Sequence, residues 1–594
     1  MFEKSRNHLS NKNSFLFIID MKKLLRITLP FVLLSCSLYV KSQDFIHNAQ
    51  VSGTFQADAN AYVNDKLLHI NDSTLNGKRL GINGFALIHY DYKNFSAGLR
   101  YEAFLPPLLG FSPDAEGSGI ANWFVNYKVD NFEVTAGNFY EQFGSGMILR
   151  SYEEWTLGYD NALDGFRVKF KPYHGIYLKG LMGYQRNYWV KYSEGNRGLV
   201  RGIDGELNFN ELIEKLGNSP FRLSLEASFV SKYEKMPLKT IIRSILPEGS
   251  YEVYQYKLPE NVGVWLAAIN LGYSNWNLMT EYVRKSENPS ALNNYIYREG
   301  QALLSVLTYS KKGLGIELSA KRIDNMGFKS RMEEKENVLD INFLPPLNPL
   351  HLYSFATMYP YATQPNGEMA VHTGIEYTFP KNTLLGGKYG TNLSLSYSLI
   401  KDIEKQPVSA DIPIDSTGTL GYTSDFFAFG DRKFYEDLKI QLTKKFSQRL
   451  KMIAAYFNQV YDKDVIEGHT NEYGKVYANI GVVDMTYRIN NQHSIRLELQ
   501  TLFTEQDKGN WMGTTIEYTL APKWFFSLMD EYNYGNDNPD DRIHYYNISF
   551  GYTHQSTRIS LSYGRQREGL LCVGGICRYV PAYTGFGLTL SSNF

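Results

Sequence analysis

The stretch Ile495-Arg-Leu-Glu-Leu-Gln-Thr-Leu-Phe503 places Ile495, Leu497, Leu499 and Phe503 on one face of an extended chain and Arg496, Glu498 and Gln500 on the other. A period of two with one apolar and one polar side is a β-strand. The pattern returns in Leu223, Leu225, Ala227 and Phe229 against Ser224, Glu226 and Ser228, and in Leu438, Ile440 and Leu442 against Lys439, Gln441 and Thr443. Tyr546, Ile548, Phe550 and Tyr552 oppose Asn547 and Ser549, and Ala97, Leu99, Tyr101 and Ala103 oppose Ser96, Arg100 and Glu102.

Soluble sandwiches and propellers also alternate, because one face is buried and the other is wet. Two features separate them from a membrane barrel. Strands of about 10 residues are joined by turns that alternate in length, as in barrels with tight periplasmic turns and long external loops. The short ones fall at Asp91–Asn94, Val129–Asn131, Ser310–Gly313, Asn490–Gln492, Ala521–Lys523 and His554–Thr557. The chain also ends on Phe594, with Phe586, Leu588 and Leu590 alternating before it. This ending resembles the C-terminal strand by which the barrel assembly machinery recognises outer-membrane proteins, although Ser592 stands where that signal carries an apolar residue. The expected fold is therefore all-β: one large antiparallel transmembrane barrel of roughly 22 to 24 strands. Residues 260–284 and 367–401 alternate least regularly.

Composition agrees with this reading. The 594 residues hold 61 Lys plus Arg against 61 Asp plus Glu, 3 Cys, 45 Tyr and 35 Phe. The charge balance excludes a basic nucleic-acid-binding protein, and the mean hydropathy of -0.33 excludes a helical membrane protein. Aromatic rings concentrate where strands cross the membrane interfaces, and Tyr545-Tyr546, Trp524-Phe525-Phe526, Trp123-Phe124 and Tyr188-Trp189 are candidates for such girdles.

A leader opens at Met21, with Lys22, Lys23 and Arg26 before an apolar core from Ile27 to Leu34. Residues 1–20 then form an N-terminal extension, 21–42 a signal peptide cleaved after Ser42, and 43–594 the barrel. A competing reading makes Cys36 the lipidated residue of a lipoprotein box. The chain from residue 43 onward carries a net charge of -5.

A barrel this wide needs something to narrow its lumen. Alternation begins near Val51, leaving no room for a preceding plug domain, so constriction falls to inward-folding loops or a partner. The Gly-rich stretch Gly137–Arg167 is the leading candidate, with Arg150, Glu153, Glu154, Asp160, Asp164 and Arg167 as opposing charges across a pore. The alternative is that these charges form an ordinary solvated inner wall. The stretch resembles the loop-bearing segment of porin-like barrels, and most of the mature chain is similar in pattern to the large Gram-negative outer-membrane barrels of Bacteroidota. That resemblance implies an outer-membrane address, contact with outer-membrane lipid, and envelope protein partners, without nucleic acid.

The apolar, proline-rich segments Phe343–Leu350, continuing through Pro360 and Pro365, and Leu105–Phe111 are expected to pack inward or to meet a protein. Cys572 and Cys577 bracket Val-Gly-Gly-Ile and read as a disulfide clasping a β-ribbon. No metal or cofactor is expected: two thiols fall short of a zinc ligand set, and Asn536–Asp541 lacks EF-hand spacing. Neither H-E-x-x-H nor a G-x-S-x-G elbow occurs, so the expectation is a non-enzymatic channel for small polar solutes. The rival expectation is a barrel component of an outer-membrane export or assembly complex.

Overall fold

Strands whose two faces differ in polarity can sit in lipid only if every edge is paired. The computed structural model describes residues 49–190, 197–236, 239–245, 251–573 and 576–594, and in it 24 antiparallel strands form one closed sheet. The first, Gln50–Val63, pairs on one side with Leu80–Tyr92 and on the other with the last, Tyr583–Asn593, in a ladder from Thr54↔Asn593 to Val63↔Thr584. The leader, its cleavage site and Cys36 lie outside the described residues.

At one rim the strands are joined by short turns, including all six read from the sequence. Two connections there are longer: residues 209–220, which fold into two single-turn helices, and residues 380–390. At the other rim the connections are long.

The outward face is the apolar one. Ile495, Leu499 and Phe503 are exposed on one side of the strand His493–Phe503, while Glu498 and Gln500 are buried on the other. The aromatic pairs divide across the wall, because adjacent strand residues point in opposite directions. Trp123 faces outward, whereas Tyr545 is buried inside. Tyr188-Trp189 lies on no strand; Trp189 sits in a long loop and donates its indole N–H to the Ala115 carbonyl at 2.9 Å. Much of the tyrosine lies in the interior: Tyr353, Tyr359, Tyr361, Tyr435 and Tyr461 belong to one buried apolar cluster.

That interior explains the irregular segments. In Asn261–Tyr273, Val262, Val264 and Leu266 face inward and are buried, while Trp265 faces out, so both faces are apolar and the alternation disappears. Val283, Ala302, Leu304 and Ile323 extend the same inner sector. Ala455, Phe457, Ile480, Val482, Leu502 and Trp511 form a second one. Both are covered by chain segments folded into the lumen.

At the seam, the Phe594 backbone exchanges hydrogen bonds of 2.9 and 3.0 Å with Gly53, and its ring lies over the Gly53 Cα. A side chain at 53 would strike that ring, so G53V is expected to destabilise the barrel by about 1–3 kcal/mol. The urea midpoint of the refolded protein measures this.

Candidate functional site

Two long connections enter the lumen. The first, residues 140–162, leaves the strand Phe132–Phe139 and returns at Leu163–Tyr173. Its tip turns on Gly144 (φ 54°) and Gly146 (φ 102°), in the left-handed region that glycine adopts without strain. The Gly144 N–H donates to Glu226 at 2.8 Å, and the Ser145 N–H and hydroxyl donate to Glu281 at 2.8 and 2.5 Å. Behind the tip, Phe143, Met147, Ile148 and Leu149 cover the first apolar sector. Burying each such side chain contributes about 1.5–3 kcal/mol.

The base of this segment is held by an ionic node. Arg100 and Arg186, on opposite sides of the segment in sequence, meet Glu102, Glu153 and Asp160, and Tyr140 donates to Glu153 at 2.7 Å and to Asp160 at 3.1 Å. Arg100 also lies 4.8 Å over the Trp155 ring, which stacks on Phe85. Burial alone would raise the Asp160 carboxyl, but Arg186 and Arg100 hold it below the usual carboxylate range.

The charges read as facing each other across a pore are thus distributed differently. Glu153 and Asp160 neutralise the two buried arginines. Arg150 stacks over the rings of Tyr152 and Phe343 at 4.4 and 4.1 Å. Glu154 accepts from the Thr156 hydroxyl within its own turn. Arg167, on the wall, binds Glu133 at 2.9 Å and Glu141 at 3.3 Å. Asp164 shares the outward side of its strand with Phe166 and Phe170. Glu153, Asp160 and Arg167 thus tie the segment to the wall, Arg150 and Glu154 are held by the inserted segments themselves, Asp164 faces outward, and the six do not face one another around an open ring.

The second segment, residues 325–367, runs between the strands Leu314–Asp324 and Glu368–Phe379. Polar side chains from around the wall seize its backbone. Lys285 donates to the Gly327 carbonyl at 2.7 Å, Glu234 accepts the Met332 N–H at 3.0 Å, and Gln459 donates to the Ala356 carbonyl at 3.1 Å. Lys321 pairs with Glu368 at 2.7 Å, both fully buried, and Glu368 also accepts from Tyr361 and from the Gln364 N–H. The two segments bond to each other: the Arg150 N–H donates to the Ile341 carbonyl and the Phe343 N–H to the Gly146 carbonyl, each at 2.9 Å. Sequence reasoning missed these wall anchors. Their signal was present, since Glu281 stands between inward-facing Met279 and Val283, a charge that makes sense only under a cover.

The proline-rich part reaches deepest. His351 hydrogen-bonds Asp437 at 2.9 Å, and Tyr353 donates at 3.4 Å to Asp484, four residues from the short-turn end of the strand Lys475–Arg488. Phe343, Leu344 and Leu347 pack inward or lie half-buried, but Leu350 is 69% and Leu352 94% exposed. In the other proline-rich segment, Leu109 packs on the Tyr62, Ile70 and Leu75 cluster.

A hairpin of Gly569–Val573 and Ile576–Val580 lies at the long-loop end. Cys572 and Cys577 are cross-strand partners in it and are disulfide-bonded. Asn337 donates to the Cys577 carbonyl at 2.9 Å, and Arg578 donates to the Leu109 and Thr156 carbonyls at 3.2 and 3.0 Å. Several cavities remain between this hairpin and residues 325–367, two of them of several hundred Å³. One, of about 510 Å³, is lined by His351, Tyr359, Arg567, Glu568 and Cys572 among others. The other, of about 610 Å³, is lined by Lys335, Glu336, Asn342, His469 and Tyr579 among others.

Over residues 21–594 the sequence matches DUF6029, described as a family of unknown function. The chain belongs to this family. Among curated proteins none matches it. Solved structures similar to this DUF6029 barrel include the siderophore receptor PirA from Pseudomonas aeruginosa, at 9% identity over 92% of this chain and 80% of that one, with a TM-score of 0.41. The P pilus usher PapC translocation pore is similar at 8% identity over 91% and 99%, TM-score 0.37. A mutant of the Rh. blastica porin is similar at 12% identity over 57% and 93%, TM-score 0.23.

Removing Arg100 would leave Glu153 without its cation and the buried Glu102 and Asp160 with Arg186 alone. R100A is expected to cost about 3–5 kcal/mol and to expose residues 140–162 of this DUF6029 protein to proteolysis. Because the Asp160 carboxyl is held low, its contribution is present at neutral pH and is lost only as pH falls below the usual carboxylate range, about pH 4. Limited proteolysis across a pH series should therefore show the segment protected until strongly acid conditions.

Proposed function

We propose that this barrel is a porin-like outer-membrane channel for small polar solutes, non-catalytic and without a cofactor, whose constriction is built by residues 140–162 and 325–367. The observation that carries the reading is the pair of cavities, about 510 and 610 Å³, left beside the second inserted segment. Their linings mix charged, amide and phenolic groups, which suits hydrated solutes better than apolar ones. Inward-facing Glu317, Glu376, Lys439 and Gln441 continue a polar wall toward the short-turn end. In planar bilayers the purified protein is expected to give stable single-channel steps. Replacing residues 343–353 by a Gly/Ser linker is expected to enlarge the steps several-fold, and no conductance even after that replacement would sink the channel reading.

Leu350 and Leu352 favour a second reading, in which the barrel belongs to an export or assembly complex. Two exposed leucines at the deepest point of the lumen suit a partner entering by the short-turn mouth. Stoichiometric co-purification of an envelope protein, abolished by the same 343–353 replacement, would select this reading over the first.

A further inference from the structure

The whole chain is electrically neutral, but its short-turn rim is not uniform. Six consecutive turns along that rim occupy residues 309–316, 378–392, 442–453, 486–494, 519–525 and 552–559, and together they hold eleven Lys and Arg and no Asp or Glu. Of the five remaining short connections, three carry acids and bases side by side, as in Asp91 and Lys93 or Glu214 and Lys215, and residues 173–176 and 273–276 hold no Asp, Glu, Lys or Arg. Half the rim is therefore a band of one sign.

Its centre has a second character. Residues 380–390 form a connection longer than a tight turn needs, and its Leu384 and Leu385 are 98% and 57% exposed. Lys381 and Lys388 flank them, and Lys444 of the neighbouring strand donates to the Leu385 carbonyl at 3.5 Å. Phe446, also exposed, lies 5.9 Å below the Lys444 ammonium. Lys444 shares the outward face with Leu442 and Ile440, so this band continues the lipid-facing wall. Apolar side chains at the wall edge with ammonium groups around them match a layer that is hydrocarbon on one side and anionic on the other.

We propose that this half of the rim, centred on Lys381, Leu384, Leu385, Lys388 and Lys444, binds the headgroups of anionic phospholipids in the leaflet it meets, with the two leucines dipping among the acyl chains. An acidic soluble protein would match the charge, but it would leave unexplained why the leucines sit at the edge of the lipid-facing wall. The lipid contact does not require a conducting lumen.

The test uses the full-length protein in micelles containing equal amounts of phosphatidylglycerol and phosphatidylcholine, with retained lipids counted by native mass spectrometry. The wild type is expected to retain phosphatidylglycerol several-fold over phosphatidylcholine. K381Q/K388Q/K444Q is expected to bring that ratio near one, while K66Q/K78Q/R79Q, which removes as much charge from the long-loop side, leaves it unchanged. Heat-modifiable gel mobility verifies that each variant is folded. A ratio near one in the wild type, or an unchanged ratio in the first variant, overturns the proposal. So does an acidic envelope protein held by the wild type and lost by that variant while lipid shows no preference. L384S/L385S is expected to shorten lipid retention and keep the headgroup ratio; loss of the ratio there would place selectivity in the leucines and overturn the assignment to charge.

Discussion

The strands of this protein turn an apolar row outward, and beside such a row a backbone N–H or C=O left unpaired would find no replacement partner. The ladder between the first and last strands meets that constraint by abolishing both edges of the sheet. Everything else follows from having a closed wall. Its outer face takes the apolar half of each strand, its inner face takes the other half, and a cylinder of 24 strands encloses more space than wall side chains can fill. The chain fills it with its own connections.

Those connections are held by two kinds of force that depend on each other. Apolar wall sectors around Val264 and Phe457 gain from being covered, which brings Phe143, Phe328 and Phe355 into the lumen. Covering them removes water from nearby charges, so Lys321, Glu368, Arg100 and Glu102 must find partners within the protein. The partners are often backbone groups of the inserted segments, as with Lys285 and Gly327 or Gln459 and Ala356. Polar pairing thereby fixes where each apolar side chain lands.

How far this could be read in the sequence depends on distance along the chain. Strand type, outward face and short turns are local properties, and Ile495–Phe503 or Ala521–Lys523 display them within a few residues. The inner apolar sector at residues 260–284 is not local. Its pattern looks broken until residues 140–149 and 326–344 are known to lie against it. The same limit applies to the inserted charges: Glu153 and Asp160 look like pore-lining acids beside Arg150, and become structural only with Arg100 and Arg186 in contact. Adjacent aromatics misled for a simpler reason, since a strand turns neighbours to opposite sides of the wall.

The ladder that joins Thr54 to Asn593 also dictates an order of events. Its partners are separated by nearly the whole chain, so the cylinder cannot be sealed until the last strand has arrived. Once sealed, it offers the inserted segments no sideways entrance, and each is tethered by strands already built into the wall. Residues 140–162 and 325–367 leave and rejoin the wall at the long-loop rim, so once the final strand is in place the mouth at that rim is their route into the lumen, and its width is set by the same ladder that seals the wall.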